Sequence, residues 1–317
     1  MLDFLKFRTF NQNIIIRLVN SKDFERSRSK GSHTLVYQHK KHNIKLECRK
    51  SKLVAENEFI FIDILITPHY YFNSGKHNGN DFNPENCKNI LQEIFSILKI
   101  EQLEYNELQL INLEYGVNVL PESDVKNLIE GILYHKKTPF VSNNKIKTYK
   151  ITDATTFKQI KAYGKGIQFI NMPQFGIDIN TFRFEVRTKQ TKNIRKLGIY
   201  TLCDLFQDNT YRKLAESLLK EWDNILIINL EPNLKGLNPA EAKYISEVNT
   251  IDFWSTKLKN PYRNTFAREM KKYYNKSKGK NNLHHELKVR ILDKIFYLLT
   301  SANSIQKTPM KPRLFKN

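Results

Sequence analysis

Two runs of strict alternation constrain this chain more than anything else in it. From Leu108 to Leu120, the residues Ile111, Leu113, Tyr115, Val117 and Val119 alternate with Asn112, Glu114, Gly116 and Asn118. From Phe182 to Lys189, Phe182, Phe184 and Val186 alternate with Arg183, Glu185, Arg187 and Lys189. Successive side chains of a strand point to opposite faces, so each run has one apolar face and one face of polar and charged groups. Such strands belong to an antiparallel sheet with one face on a core, because strands of a doubly covered parallel sheet read as continuous apolar runs. A third segment behaves likewise, with Lys161, Tyr163 and Lys165 on one face opposite Ala162, Gly164 and Gly166.

Other segments fill in around these. Asn13 to Val19, His33 to His39, Asn43 to Arg49, Phe59 to Thr67, Lys145 to Ile151 and Phe157 to Ile170 read as strands by their β-branched and aromatic content. Pro84 to Ile100 changes period: Ile90, Leu91, Ile94, Phe95 and Leu98 recur at helical spacing. A helix over Glu122 to Tyr134 follows Pro121 and early acidic residues. From about Ile194 helices dominate, with Tyr211 to Ile225 the clearest and Leu214, Leu218, Leu219 and Trp222 as its core face. Pro239 to Val248, Asn264 to Tyr274 and His284 to Leu299 are helical as well. The expected class is α+β, an antiparallel sheet with helices packed on one face, followed by a mostly helical C-terminal region. The expected division is an α+β domain over 1–208, a helical basic domain over 209–300 and a flexible basic tail over 301–317.

Charge narrows the partners. The 317 residues hold 52 Lys+Arg against 32 Asp+Glu, a formal charge of +20, so an extended anionic partner is expected and nucleic acid is favoured over membrane. AT-rich codon usage would raise Lys, but it gives no reason for the acids to stay so low. No run of eighteen apolar residues exists, and the stretch Asn13 to Asn20 is too short for a signal or a span. Three cysteines, Cys48, Cys87 and Cys203, form no C-x-x-C pair, which fits a reducing, cytoplasmic compartment with neither a disulfide framework nor a zinc site. No Walker loop and no G-x-G-x-x-G is present, which argues against ATP use. Between Lys257 and Arg290 stand eleven Lys or Arg and two acids, interleaved with Tyr262, Phe266, Tyr273 and Tyr274. That mixture suits phosphate contact and base stacking, with Arg268, Lys271 and Lys272 as contact candidates, although a solvated helix face has the same composition.

The polar faces of the alternating strands carry the candidate chemistry. Attack on a phosphodiester needs an attacking oxygen, neutralisation of the non-bridging oxygens and support for the leaving hydroxyl. Tyr163 can supply the oxygen, and Lys161 and Lys165 the charge that offsets the roughly 4 kcal/mol cost of ionising a phenol at neutral pH. Glu114 and Glu185 together make a plausible Mg²⁺ or Mn²⁺ pair, since hard cations take carboxylate oxygens. Arg183 and Arg187 can clamp a phosphate bidentately, with Lys189 beyond them. The competing structural explanation is ordinary: Arg-x-Glu-x-Arg on one strand face is commonly a cross-strand ion-pair ladder, and a strand tyrosine is commonly a packing residue.

The string Arg183-Phe-Glu-Val-Arg-Thr-Lys189, with Leu197-Gly198-Ile199 and Leu202 to Phe206 after it, resembles a segment of the filamentous-phage gene II type replication initiators. Upstream, Tyr163-Gly-Lys165 is similar to the family's Y-x-K with the nicking tyrosine. Ile111-Asn-Leu-Glu114-Tyr resembles its R-I-D strand, with Glu in place of Asp, and His77-Asn78 is similar to its G-H-N segment. The matches fall in the same order and cover roughly residues 60 to 210. The resemblance implies rolling-circle initiation on double- and single-stranded origin DNA by a nicking and strand-joining endonuclease. It uses a divalent metal, Mg²⁺ or Mn²⁺, forms a 5′-phosphotyrosine and leaves a 3′-OH for a host polymerase, with a helicase as a further host partner. It implies that 1–208 is the nicking domain, Tyr163 the nucleophile, Lys165 its electrostatic partner, and Glu185 and Glu114 the metal carboxylates, with His77 and His69 as secondary candidates. In related plasmid initiators the nucleophile follows the R-F-E strand, which makes Tyr200 the second candidate. Gly164 and Gly166 are expected to mark a bulge that re-aims Tyr163.

Two other classes fit the same composition: a non-catalytic origin or operator DNA-binding protein, and an RNA-binding protein that stacks aromatics on bases. Only the initiator needs Tyr163 and Glu185 together on adjacent strands, facing one groove with Glu114 beside them. A buried Tyr163, or one separated from Glu185 by the thickness of the sheet, makes that assignment fail.

Overall fold

In a computed structural model of the chain, described over residues 1–29, 31, 33–50, 59–143, 146–259, 264–277 and 279–301, the alternating runs lie inside one ten-stranded sheet. Its strands come from β1 (Leu2–Thr9), β2 (Phe24–Ser29), β3 (Thr34–His39), β4 (Lys45–Lys50), β5 (Phe59–Ile66), β6 (Gln109–Val119), and, after β7 (Ile132–His135) and β8 (Thr138–Pro139), from β9 (Val141–Asn143), β10 (Ile146–Thr155), β11 (Lys158–Gly164) and β12 (Phe182–Thr188). The order is β2-β3-β4-β5-β1-β6-β12-β11-β10-β9, and every pairing is antiparallel. β7 and β8 join β13 (Ile225–Ile227) in a small second sheet. The helices are α1 (Gln12–Val19), α2 (Pro68–Phe72), α3 (Pro84–Ile97), α4 (Val125–Gly131), α5 (Lys165–Gln168), α6 (Thr191–Arg195), α7 (Asp208–Trp222), α8 (Pro239–Val248), α9 (Ile251–Lys259), α10 (Thr265–Lys276) and α11 (Leu283–Thr300).

The apolar phase of each alternating run builds the main core. Leu113, Tyr115, Val117 and Val119 of β6, Phe182, Phe184 and Val186 of β12, and Ile160 and Ala162 of β11 are buried beneath α3, α4, α7 and α11. Trp222 of α7 stands edge-on to Phe184 at 5.1 Å and to Phe182 at 6.1 Å. Each such large apolar side chain contributes on the order of 1.5–3 kcal/mol by leaving water. This is the α+β class, with the long helices on one face. On the polar face the central residues Asp3, Asp63, Glu114, Asn118, Tyr163, Arg183 and Glu185 are themselves buried.

Several elements differ from the sequence expectation. Asn13 to Val19 is a helix and not a strand. The Asn11 side chain caps it by accepting from the amides of Asn13 and Ile14, and Ile14, Ile15 and Leu18 turn inward while Ile16 is 56% exposed. A short β-branched run has no periodicity of its own to resist a strong N-cap. β1, β2 and α9 carry no assignment in the sequence reading, and β1 is central in the sheet. The helix expected over Glu122 to Tyr134 starts late, at its Asp124 cap, and stops at Gly131, where the Ile228 amide reaches back to the Gly131 carbonyl at 2.9 Å and the chain becomes β7. Phe157 to Ile170 is strand only to Gly164. No bulge re-aims Tyr163, since β11 and β12 pair without a register shift from Lys158↔Thr188 to Gly164↔Phe182. Gly166 is needed for close approach instead: a Cβ there would collide with the carbonyl oxygens of Asp178 and Ile179.

The core does not change at residue 208. α7 and α11 share the sheet's own core, whereas Leu133, Tyr134, Leu226, Ile228, Val248, Trp254, Phe266 and Tyr273 form a second core from β7, β13, α8, α9 and α10. A cut at 208 would strip two helices from the sheet, so residues 209–300 do not pack as a separate body. The tail expected over 301–317 lies, beyond Ser301, outside the described residues, as do Tyr262 and Arg263. No helix among the described residues is long and apolar enough to cross a membrane.

Candidate functional site

Strand register lines up the polar residues in rows across the sheet. Tyr149, Tyr163, Arg183 and Asn118 are successive partners across β10, β11, β12 and β6. The next row holds Lys161, Glu185 and Gly116, and the one after it Gln159, Arg187 and Glu114. Antiparallel neighbours in one row stand about 5 Å apart at Cβ, within reach of these long side chains. Gly116 leaves the space into which Glu185 folds, since a Cβ there would lie 2.8 Å from the Glu185 Cγ.

The side chains close into one network. The Tyr163 hydroxyl donates to Glu185 Oε1 at 2.7 Å, and Arg183 Nε donates to the same oxygen. Lys161 Nζ sits between the two carboxylates, 2.7 Å from Glu114 Oε1 and 3.4 Å from Glu185 Oε2. Arg187 Nε lies 3.5 Å from Glu114 Oε2. The other arms of Arg183 reach Asn118 Oδ1, at 2.6 Å, and the carboxylate of Asp3. Asp3 in turn meets His69 Nδ1 at 3.3 Å, and His69 Nε2 pairs with Asn80 at 2.9 Å. Lys165, the first residue of α5, is buried, donates to Gln168 Oε1 at 3.0 Å and holds its Nζ 5.3 Å from the centre of the Tyr163 ring.

Burial and charge set the protonation states. Burial first, then contact with the Glu185 carboxylate, pushes the Tyr163 phenol well above its ordinary value. Burial alone would raise Glu185, but Arg183, then Lys161 and Lys165, overcome it and hold the carboxyl well below the usual range. Glu114 moves the other way, raised by burial and by the charge of Glu185. Burial lowers Lys165 to about 8 and His69 to about 3, so the imidazole is neutral and Lys165 titrates just above neutrality. Burial also lowers His77.

The sequence candidates therefore separate into a cluster and outliers. Tyr163, Lys161, Lys165, Arg183, Glu185, Arg187 and Glu114 come together, while Lys189 is exposed past the end of β12. His77 stands at the cluster's border, its ring 4.8 Å from that of Phe175 and its Nδ1 accepting from the Gly79 amide, while it feels the charges of His69 and Lys165. Tyr200 is 53% exposed, but its carbonyl accepts from Leu110 at the start of β6. At about 3.4 Å per residue the neighbouring Gln109–Thr201 bridge is roughly 17 Å along the strand from Glu114. Arg268, Lys271 and Lys272 are exposed on α10.

Adjacency of Tyr163 and Glu185 is met, and accessibility is not. Tyr163 is 7% exposed, and the half-buried ring of its cross-strand partner Tyr149 packs beside it, centroids 4.9 Å apart. Tyr149 feels Lys161, Glu185 and Glu114 as well, so it belongs to the cluster. It and Asp3 escaped the sequence reading because strand register across β10 and β1 is not written in either strand. Asn118, by contrast, was already in the polar phase of β6.

The two carboxylates do not fit a Mg²⁺ or Mn²⁺ centre. Glu185 accepts from Tyr163, Arg183 and Lys161, and Glu114 from Lys161 with Arg187 close by, so the Lys161 ammonium stands where a shared cation would bind. Three carboxylates, Asp3, Glu114 and Glu185, face the three charges of Lys161, Arg183 and Arg187, with Lys165 in addition. A dication added there meets repulsion, and an anion does not. Among the described residues no group of three metal-ligating side chains converges anywhere.

No profile of a known protein family and no curated protein matches the chain. Among solved structures it is similar to a rolling circle replication initiator protein from Geobacillus stearothermophilus, at 12% identity over 78% of this chain and 96% of that one, with a TM-score of 0.41. So loose an overlap carries no argument about this chain, and the reading that follows rests on its own residues.

Proposed function

We propose that the chain is a rolling-circle replication initiator that opens one strand of origin DNA by transesterification to a tyrosine, with strand transfer on the polar face of β10, β11, β12 and β6. The observation that carries this reading is the 2.7 Å contact of the Tyr163 hydroxyl with an ionised Glu185, ringed by Lys161 and Arg183. These residues are also the ones on which the ordered resemblance to the gene II type initiators rests.

A phenol held this high in pKa attacks only if its proton leaves in the same step; Glu185 is the acceptor in contact with it, a weak base while Arg183 and Lys161 hold it ionised. In the step, the Tyr163 oxygen bonds to phosphorus as its proton passes to Glu185, and the bond from phosphorus to the 3′ oxygen breaks. The leaving oxygen takes a proton from Lys165, whose lowered pKa of about 8 suits a donor near neutral pH. Lys161 and Arg187 neutralise the non-bridging oxygens. Rejoining runs the same transfers backwards. No step is routed through a metal, because the donor set does not fit one. Access to the buried Tyr163 hydroxyl requires a side chain around it to move.

The test is incubation with supercoiled DNA carrying the element's own origin, scored for a covalent protein–DNA adduct. Adduct lost in Tyr163→Phe and kept in Tyr149→Phe and Tyr200→Phe is the expected result. Adduct that instead requires Tyr149 or Tyr200 moves the nucleophile. No adduct, with or without a divalent ion, removes the enzyme reading. A second reading, non-catalytic DNA binding, is favoured by one observation, the burial of Tyr163; in it the network only organises the sheet.

A further inference from the structure

The second core supports a surface that the sheet chemistry does not use. α9 and α10 are consecutive helices packed through Trp254, whose ring stands 5.6 Å from Phe266 and 5.7 Å from Tyr273. The Trp254 indole donates to the Val248 carbonyl at 2.7 Å, tying in α8, and the Tyr273 hydroxyl donates to Asn249 Oδ1 at 2.7 Å. Tyr274 fastens the base of α10 to β13, donating to the Ile225 carbonyl at 2.7 Å and accepting from the Ile227 amide at 3.0 Å. One side of α10 is thus fixed by Phe266, Tyr273 and Tyr274. Its other side, exposed, carries Arg268, Lys271, Lys272, Asn275 and Lys276.

These outward residues form a stripe. Arg268, Lys271 and Asn275 follow i, i+3, i+7, and Lys272 and Lys276 lie four and eight residues after Arg268. From Arg268 to Lys276 the stripe runs about 12 Å at 1.5 Å per residue. Among the described residues Arg268 and Lys271 make no side-chain hydrogen bond or ion pair, and the single acid of α10, Glu269, is half-buried with Lys272 4.0 Å away. Lys276 leans on the Tyr244 ring of α8 at 4.6 Å, which holds its charge on the same side.

We propose that α8, α9 and α10 form a duplex-reading unit that places the exposed face of α10 in the major groove of DNA. The groove, about 12 Å wide, admits one helix, and in helix-turn-helix docking a second helix is braced behind the reading helix as α9 is here. Lys271, Lys272 and Lys276 contact the flanking phosphates; Arg268 and Asn275 are the side chains on this face able to bond base edges bidentately, to guanine and to adenine respectively. An A-form RNA helix, with its narrow deep groove, does not admit α10, so duplex DNA is the partner. The inference rests on the DNA-binding half of the function proposed above and not on its tyrosine chemistry.

The test compares equilibrium binding of the full chain to a 30-base-pair DNA duplex, a 30-nucleotide single strand and a 30-base-pair RNA duplex. Arg268→Ala/Lys271→Ala/Lys272→Ala should weaken the DNA duplex at least tenfold near 0.15 M salt and reduce the slope of log K against log salt by about 2–3. Single-strand binding, and the equally charge-depleted Lys196→Ala/Lys213→Ala/Lys220→Ala control, should change less than about threefold. Equal loss on duplex and single strand, equal loss in the control, or a loss confined to RNA would each overturn the proposal. From randomised 20-base-pair duplexes the chain should enrich a consensus that Asn275→Ala relaxes at one position; no consensus would overturn the groove reading. No nick is needed for either readout, so a failed adduct assay leaves this unit standing and a failed binding shift leaves the tyrosine chemistry standing.

Discussion

Arg183 and Arg268 are the same residue in opposite situations. Arg183 is 1% exposed and spends its guanidinium on Asp3, Glu185 and Asn118, whereas Arg268 is exposed on a helix with nothing opposite it among the described residues. The first kind of cation holds structure and tunes its neighbours, because a buried charge acts strongly at short range and cannot be removed without stranding its partners. The second kind is screened, adds almost nothing to stability, and remains available to a phosphate.

The contrast predicts a graded set of outcomes. Arg183→Ala leaves the buried Asp3 carboxylate without its cation and Glu185 with only Lys161 and Tyr163, and should lower unfolding free energy by about 3–5 kcal/mol in urea titrations; a loss below 1 kcal/mol would mean that the network is open to water. The next effect is acid sensitivity. Glu185 is held below its ordinary value in the folded state, so as pH falls below about 5 the unfolded chain takes up a proton that the folded chain refuses. Stability present above that range is therefore lost toward low pH, and Glu185→Gln should flatten the acid limb of a plot of stability against pH. An unchanged limb would place the titrating group elsewhere. Lys161→Ala removes the ammonium between Glu114 and Glu185, and should create a Mn²⁺ site, seen by calorimetry, that the unaltered chain does not show at that pair. Equal Mn²⁺ binding at that pair before and after the change would reverse the fit argument. Smallest of all, Arg268→Ala should shift stability by less than about 0.5 kcal/mol.

The legible part of the fold was the part with a period. β6, β12, α3, α7, α8 and α11 were marked by alternation or by helical spacing, and their apolar phases do lie on the core. Content without a period served less evenly: it marked β3, β4, β5 and β10, misread the run at Asn13 and passed over β1, β2 and α9. The Ile-rich run at Asn13 became α1 through a single Asn11 cap, and β1 is central only because β5 and β6 pair with it on either side. The candidate site divides in the same way. The polar phases gave Glu114, Asn118, Arg183, Glu185 and Arg187 one face, and Lys161 and Tyr163 the same character on another strand. Nothing in either strand said that Tyr149 would pair with Tyr163, or that Asp3, in an unassigned strand far off in sequence, would take the outer arm of Arg183.

By itself, the sequence determined which residues share a face and what sign of partner the protein seeks, since the pleat has a fixed period of two and the excess of Lys and Arg is a plain sum. Tertiary structure alone decided what those faces can do. Strand register is a long-range choice, made by turns and core packing, and it is register that sets Lys161 between two carboxylates and Tyr149 beside Tyr163, while packing of the second core leaves the outer side of α10 bare.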